Sequence, residues 1–283
     1  MGRVSGKVAL ISGAARGQGR SHALRLAAEG ADIIAVDVCT DIESVPYEGA
    51  TPDDLAQTVK EVEALDRRIC AVQADVRDLG AMTAAVEQGI AEVGPVDIIV
   101  ANAGIMSSVP THELSQEVWQ ITIDINLTGV FNTVRAAINP MLARGAGGSI
   151  ILISSTAGIM GFPTLAHYTA AKHGVVGLMK TWAYEWGGAG IRCNSIHPTS
   201  VNTRLFKNDA IYQLFRPDLE NPQFEDVAEA FSALHMLARP GAELPQAMVE
   251  PSDISDAVLF LASDESKCIT GQQLKVDLGF CEK

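Results

Sequence analysis

Through the first half of the chain, short runs of consecutive apolar residues alternate with longer stretches whose apolar positions recur every three to four residues. Unbroken apolar runs suit strands buried on both faces, and the three-to-four spacing suits helices that cover them. The pattern predicts strands at Val8–Ser12, Ile33–Asp37, Ile69–Ala74, Ile98–Ala101, Ser149–Ser154, Arg192–His197 and Leu274–Asp277. Helices are expected at Ser21–Glu29, Asp53–Leu65, Leu79–Glu92 and Tyr168–Trp186. All but the last strand lead into a turn and a helix-like stretch. This βαβ rhythm predicts an α/β chain with one doubly wound, seven-stranded parallel sheet and helices on both faces.

No Pro/Gly/Ser-rich linker divides the sequence, and nothing repeats beyond the βα alternation, so residues 1–283 are read as a single domain. Two segments break the rhythm, 38–51 after the second strand and about 204–251 before the last helix and strand. Both exceed the usual two-to-six-residue βα connection, and loops of that length are commonly functional. The first is expected to lie near a cofactor. The second contains helix-like stretches such as Asp226–Leu237 and is expected to form a substrate lid.

Composition narrows the partners. A formal net charge of −13 with no Lys/Arg run opposes binding to a phosphate backbone or an anionic membrane. No apolar stretch approaches the roughly 20 residues of a membrane span. The five cysteines are scattered without a Cys-x-x-Cys pair, and the six histidines have no metal-ligand spacing, so neither a disulfide framework nor a metal site is expected. With no signal-like start, the expectation is a cytoplasmic protein. The Asn126-Leu-Thr128 sequon is irrelevant there.

Chemistry enters at the first strand end. Ser12-Gly13-Ala-Ala-Arg16-Gly17-Gln18-Gly19 lies between strand and helix, where free amides and the helix dipole favour an anion. Glycines there allow a tight turn and close approach of a pyrophosphate, the arrangement of a Rossmann dinucleotide site. Asp37 ends the second strand about 20 residues on, placed to accept from the adenosine ribose hydroxyls and to repel a 2′-phosphate. NAD is therefore favoured over NADP, although Arg16 in the turn is a candidate partner for such a phosphate. Asp75, at the end of the third strand, is a candidate for the adenine edge or for capping the next helix.

Tyr168 and Lys172 stand at i and i+4, on one helix face. A phenol is a weak base near neutrality, but the lysine ammonium and a cationic nicotinamide would both favour phenolate. Tyr168 is then placed to take a proton from an alcohol while hydride passes to NAD. Such a pair alone carries little information. Around it stand Ser154 and Ser155 at the end of the fifth strand, Asn102-Ala103-Gly104 after the fourth, and Asn126 inside an apolar helix, expected to hold a proton-relaying water beside Lys172.

These motifs resemble those of the short-chain dehydrogenase/reductase family over essentially the whole length. The matching positions are Gly13, Gly17 and Gly19, Asn102 to Gly104, and the tetrad Asn126, Ser155, Tyr168 and Lys172. The resemblance implies that Ser155 orients substrate, and that Pro198, Val201 and Thr203 cover the nicotinamide with Val38 and Val76 along the cofactor. Ser12, Ala101 and Thr199 depart from the family pattern without removing a catalytic group. A narrower similarity, in Gly13 to His22, the 38–51 insertion and His197 to Thr203, is to the mycofactocin-coupled branch that includes carveol dehydrogenases. It implies NAD held tightly and recycled by a separate carrier, with the insertion folded over it, and family resemblance implies a homotetramer.

The expected reaction is hydride transfer between an apolar secondary alcohol, such as a cyclic terpene, and NAD. Met160, Phe162, Phe206, Tyr212, Phe215, Phe231 and Met236 are candidates for core or for an apolar substrate pocket. Two rivals stand beside this reading. One is a dehydrogenase with freely exchanging NAD acting on hydroxyacyl, sugar or steroid substrates. The other is a non-catalytic NAD-sensing regulator. His167, next to Tyr168, is read as a helix-start residue.

Overall fold

The computed structural model describes residues 2–243 and 245–283. Seven strands form one parallel sheet: β1 (Val8–Ser12), β2 (Asp32–Asp37), β3 (Ile69–Gln73), β4 (Ile98–Ala101), β5 (Gly148–Ile153), β6 (Ile191–Pro198) and β7 (Gln273–Val276). Their order across the sheet is β3-β2-β1-β4-β5-β6-β7. The order reverses between β1 and β4, and such a switch point is where doubly wound sheets open a crevice beyond their strand ends. The predicted strands agree with these to within two residues at each end.

Successive strand residues feed opposite layers, as a period of two requires. Leu10, Ile34, Ile99 and Ile150 pack on one face with Met82, Val134 and Val175, from α3 (Leu79–Val93), α5 (Gly129–Arg144) and α6 (Ala166–Trp186). Ile11, Ile33, Val100 and Ile151 pack on the other with Leu26, Leu55 and Val258, from α1 (Gly17–Ala28), α2 (Pro52–Glu63) and α9 (Pro251–Ala262). Most of these side chains are fully buried, each burial contributing about 1.5–3 kcal/mol before chain entropy is offset. The expectation of one domain with both sheet faces covered holds.

Local signals set the helix starts. Thr51 accepts from the Asp54 amide while Asp54 reaches back to the Thr51 amide, a capping box with Pro52 in the first turn. Asp78 caps α3, and Ser115 caps α4 (Gln116–Ile123). Between α4 and α5 the chain widens into a π-helical turn, Asp124–Thr128, where the sequence predicts ordinary helix. The late segment contains two helices, α7 (Asp209–Phe215), capped by Asn208, and α8 (Phe224–Leu234). Only α8 is foreshadowed by periodicity. Their core is Phe231 and Val227, with Phe206 and Phe215 in edge contact with Phe231 at ring-centroid distances of 5.7 and 4.5 Å. Met160 and Met236 are surface residues instead, Met236 being 56% exposed.

Candidate active site

A cavity of about 840 Å³ lies beyond the C-terminal strand ends, and every site residue expected from the sequence lines it. At one end is the turn between β1 and α1. Gly19 packs so closely on that turn that a Cβ there would sit 1.9 Å from the Gly13 carbonyl oxygen, so only glycine fits. Arg16 is the N-cap of α1 and gives no side-chain cap, which leaves the first-turn amides open toward the cavity. The Gln18 Oε1 is buried without a partner among the described residues. Asn102 ties the β4 end to this turn by donating to the Ser12 and Gly13 carbonyls at 3.0 and 3.2 Å.

Asp37 faces the same end and is 8% exposed. Its carboxylate accepts from the Ala15 and Cys39 amides at 2.9 and 3.1 Å, which orients it and leaves acceptor capacity toward the cavity. These open amides, the orphaned Gln18 oxygen and the aimed carboxylate suit a dinucleotide with a free ribose diol. Arg16 does not wait for a 2′-phosphate. Its guanidinium donates to the Gly49 and Glu48 carbonyls at 2.7 and 2.5 Å and so pins the 38–51 segment. Asp75 lines the cavity with its carboxylate clasped by Arg77 at 2.5 Å, and Asp78 rather than Asp75 caps α3.

The 38–51 segment supplies cavity wall through Ile42, Val45 and Tyr47. The Tyr47 hydroxyl accepts from the Met106 amide at 3.1 Å, and Glu48 pairs with Arg204 at 3.1 Å. Tyr47 was singled out by no spacing; only the length of its loop hinted at it. Phe280 was not foreseen either. It follows β7, lines the cavity and stacks on Phe162 at 5.7 Å with ring planes 13° apart.

Ser155, Tyr168 and Lys172 meet in this cavity. Lys172 is buried, its Nζ donating to the Ile153 carbonyl at 3.0 Å and standing 5.5 Å from the centre of the Tyr168 ring. Burial lowers Lys172 to about 8. Burial raises Tyr168 to about 12, opposed by a hydrogen bond from Ser155. Desolvation of the buried phenolate thus works against ionisation, in the opposite direction to the charges of Lys172 and a cationic nicotinamide. Asn126 lines the same cavity and has a structural task as well. Its Oδ1 accepts from the Ile105 amide at 3.1 Å, and its Nδ2 donates to the Ile105 and Thr122 carbonyls at 3.0 Å each. The side chain is thus a strut between the π turn and the chain after β4, with both amide hydrogens used and one acceptor position of Oδ1 left. His167 stands in the first turn of α6, as expected, and is fully buried, with Nε2 3.0 Å from the Ser107 hydroxyl.

No group of three or more His, Cys, Asp or Glu side chains among the described residues is arranged to hold a metal, and no described helix is long and apolar enough to cross a membrane.

A parallel sheet with a glycine turn at its switch point and a Tyr-Lys pair beside a strand-end serine defines a dinucleotide-linked oxidoreductase scaffold. The model of the short chain dehydrogenase family matches residues 7–211, and the chain belongs to that family. It is 54% identical over 98% of both chains to a putative short-chain type dehydrogenase/reductase of Mycolicibacterium smegmatis. It is 49% identical over 99% of both to (-)-trans-carveol dehydrogenase of Rhodococcus erythropolis. The solved structure of carveol dehydrogenase from Mycobacterium avium in complex with NAD superposes with a TM-score of 0.96, at 53% identity over the full length of both chains.

Proposed function

We propose that this protein is an NAD-dependent dehydrogenase of apolar, cyclic secondary alcohols of the carveol type. The observation that carries the reading is one cavity in which Ser155, Tyr168 and Lys172 meet, with the glycine turn and Asp37 among its walls and an apolar wall built from Met106, Phe162, Phe206, Phe215 and Phe280. When bound, NAD supplies the hydride acceptor and a positive charge close to the phenol. The Ser155 hydroxyl orients the substrate oxygen. Tyr168 takes the hydroxyl proton as the hydride leaves carbon. Lys172 favours the phenolate through its charge and anchors the α6 start to β5 through Ile153. Asn126 keeps the chain after β4 in place. The aromatic wall excludes water and favours a hydrocarbon ring over a polyol.

The same reading includes NAD that stays in place between turnovers, recycled by a mycofactocin-type redox carrier. Its support is the 38–51 segment, fastened at Arg16, at Met106 and at Arg204 around the cavity. Assembly as a homotetramer is part of the proposal too, supported by exposed Phe131 and Tyr184 on α5 and α6.

The test is to offer cyclic terpene alcohols, aliphatic alcohols and sugar alcohols with NAD and, separately, with an artificial electron acceptor. Turnover of cyclic alcohols is expected. Oxidation of sugar alcohols in preference to them would overturn the substrate class. NAD retained in stoichiometric amount through dialysis is expected, and complete loss would overturn the tight-holding half.

A further inference from the structure

Ser155 is gripped from behind by a histidine. His197 lies at the end of β6, next to Pro198, and is fully buried. Its Nδ1 is 2.7 Å from the Ser155 carbonyl oxygen, and its Nε2 is 2.8 Å from the Ser195 hydroxyl. A carbonyl oxygen only accepts, so Nδ1 carries the proton and Nε2 accepts from Ser195. Burial lowers His197 to about 4, with Lys172 and His173 adding repulsion and Asp277 opposing it. The imidazole is therefore neutral near pH 7, and both hydrogen bonds persist.

The packing around it has no slack. A Cβ on Gly158 would meet Ser154 Oγ at 2.3 Å, the Lys172 carbonyl oxygen at 2.9 Å and His197 Cε1 at 3.3 Å. Ser154 Oγ donates to that same Lys172 carbonyl at 3.0 Å. The imidazole thus belongs to a buried polar seam joining the end of β5 to α6. On its far side, Ser155 Oγ accepts from the Ala157 amide at 3.1 Å, and Ser155 shares the cavity with Tyr168 and opposes the upward shift of its phenol.

We propose that His197 is a positioning residue: its Nδ1–H fixes the Ser155 main chain and thereby aims the Ser155 hydroxyl at Tyr168 and the substrate oxygen. The inference rests on the reaction proposed above. It predicts that the Nδ1–H matters more than the ring. His197→Asn places an amide N–H at the Nδ1 distance from Cα, His197→Gln places it at the Nε2 distance, and His197→Ala supplies none.

The experiment compares the three variants with the wild type for kcat, KM, NAD affinity and the pH dependence of alcohol oxidation. Alongside, the Tyr168 phenol is titrated by carbon NMR of tyrosine-labelled protein, with Tyr168→Phe assigning the signal. In the Ala and Gln variants kcat should fall about tenfold, the loss of one buried hydrogen bond, while NAD affinity holds. The Tyr168 titration and the pH profile should both move alkaline. His197→Asn should restore most of each. An Asn variant no better than Gln, or a Tyr168 titration unmoved in all three, overturns the proposal. Should His197→Ala fail to fold, the Asn and Gln pair carries the comparison. If the wild type oxidises no alcohol but the phenol still shifts in the Gln variant and returns in the Asn variant, the reaction reading fails and the positioning role stands.

Discussion

Lys172 Nζ stands 5.5 Å from the centre of the Tyr168 ring and donates to the Ile153 carbonyl, so one buried ammonium joins the phenol to the end of β5. Its burial is also a cost. Lys172 falls from 10.5 to about 8 in the fold, a difference worth about 3 kcal/mol. A depressed folded value means the unfolded chain binds the extra proton, so this group opposes folding at pH 7 and its penalty fades as pH rises from about 8 to 10.5. Lys172→Met is expected to raise the melting temperature at pH 7 and to lose that advantage near pH 10, while abolishing turnover. Melts at both pH values check it; a variant less stable at pH 7 would show that the Ile153 bond outweighs desolvation.

Tyr168 reports the opposite sign. Its folded value of about 12 lies above the ordinary 10, so it favours the fold below pH 10 and loses that contribution as pH rises toward 12. As the proposed base it must lose its proton, so alcohol oxidation should climb with pH and ketone reduction fall. Tyr168→Phe should lower kcat by about 10³-fold or more with NAD binding intact. Retained turnover in that variant, measured by stopped-flow formation of reduced cofactor, would remove Tyr168 from the reaction.

The strands and the glycine turn were legible because both depend on local pattern. Strands buried on two faces must be apolar throughout, and a helix entered directly from a strand needs glycine at Gly13 and Gly19 whatever follows. Tyr168, Lys172, Ser155 and Asn126 were legible as a set in fixed order. What was not legible came from pairings between distant segments. Nothing near Arg16 says that it binds Glu48 and Gly49, and Phe280 meets Phe162 only because β7 returns beside β6. The Asn126 strut was missed because a side-chain amide satisfied by backbone in a π turn has no sequence period.

Asp37 sets the cofactor preference through charge. Asp37→Asn keeps an acceptor for the Cys39 amide but removes the repulsion of a 2′-phosphate. The ratio of kcat/KM for NADP over NAD should rise about tenfold or more, the effect of removing one close like-charge contact. An unchanged ratio would move the discrimination elsewhere in the cavity.

Arg16 is the anchor of the 38–51 segment, and its two hydrogen bonds to the Gly49 and Glu48 carbonyls come from a charged donor. Each such bond contributes about 1.5–3 kcal/mol. Arg16→Ala should release NAD at least about tenfold faster, with fluorescence of the reduced cofactor as the readout. Glu48→Gln breaks only the more exposed pair with Arg204 and should change the rate little, since exposed ion pairs contribute under about 1 kcal/mol. Equal rates in wild type and Arg16→Ala would mean that the segment does not retain the cofactor.

Phe280 closes the apolar wall from the chain's last turn, stacked on Phe162 and in edge contact with His235 at 6.2 Å. His235 is held in turn by Thr199 Oγ1 at 2.8 Å and the Gln246 carbonyl at 2.7 Å. The wall is thus rigid on its outer side, so removing the ring leaves space rather than collapse. Phe280→Ala should raise KM for a small cyclic alcohol about tenfold, the cost of losing about 1.5 kcal/mol of aromatic contact, with kcat for bound substrate changed far less. Bulkier polycyclic alcohols should lose less and can gain. A kcat loss as large as the KM increase would place Phe280 in the alignment of the reacting atoms instead of in the shape of the pocket.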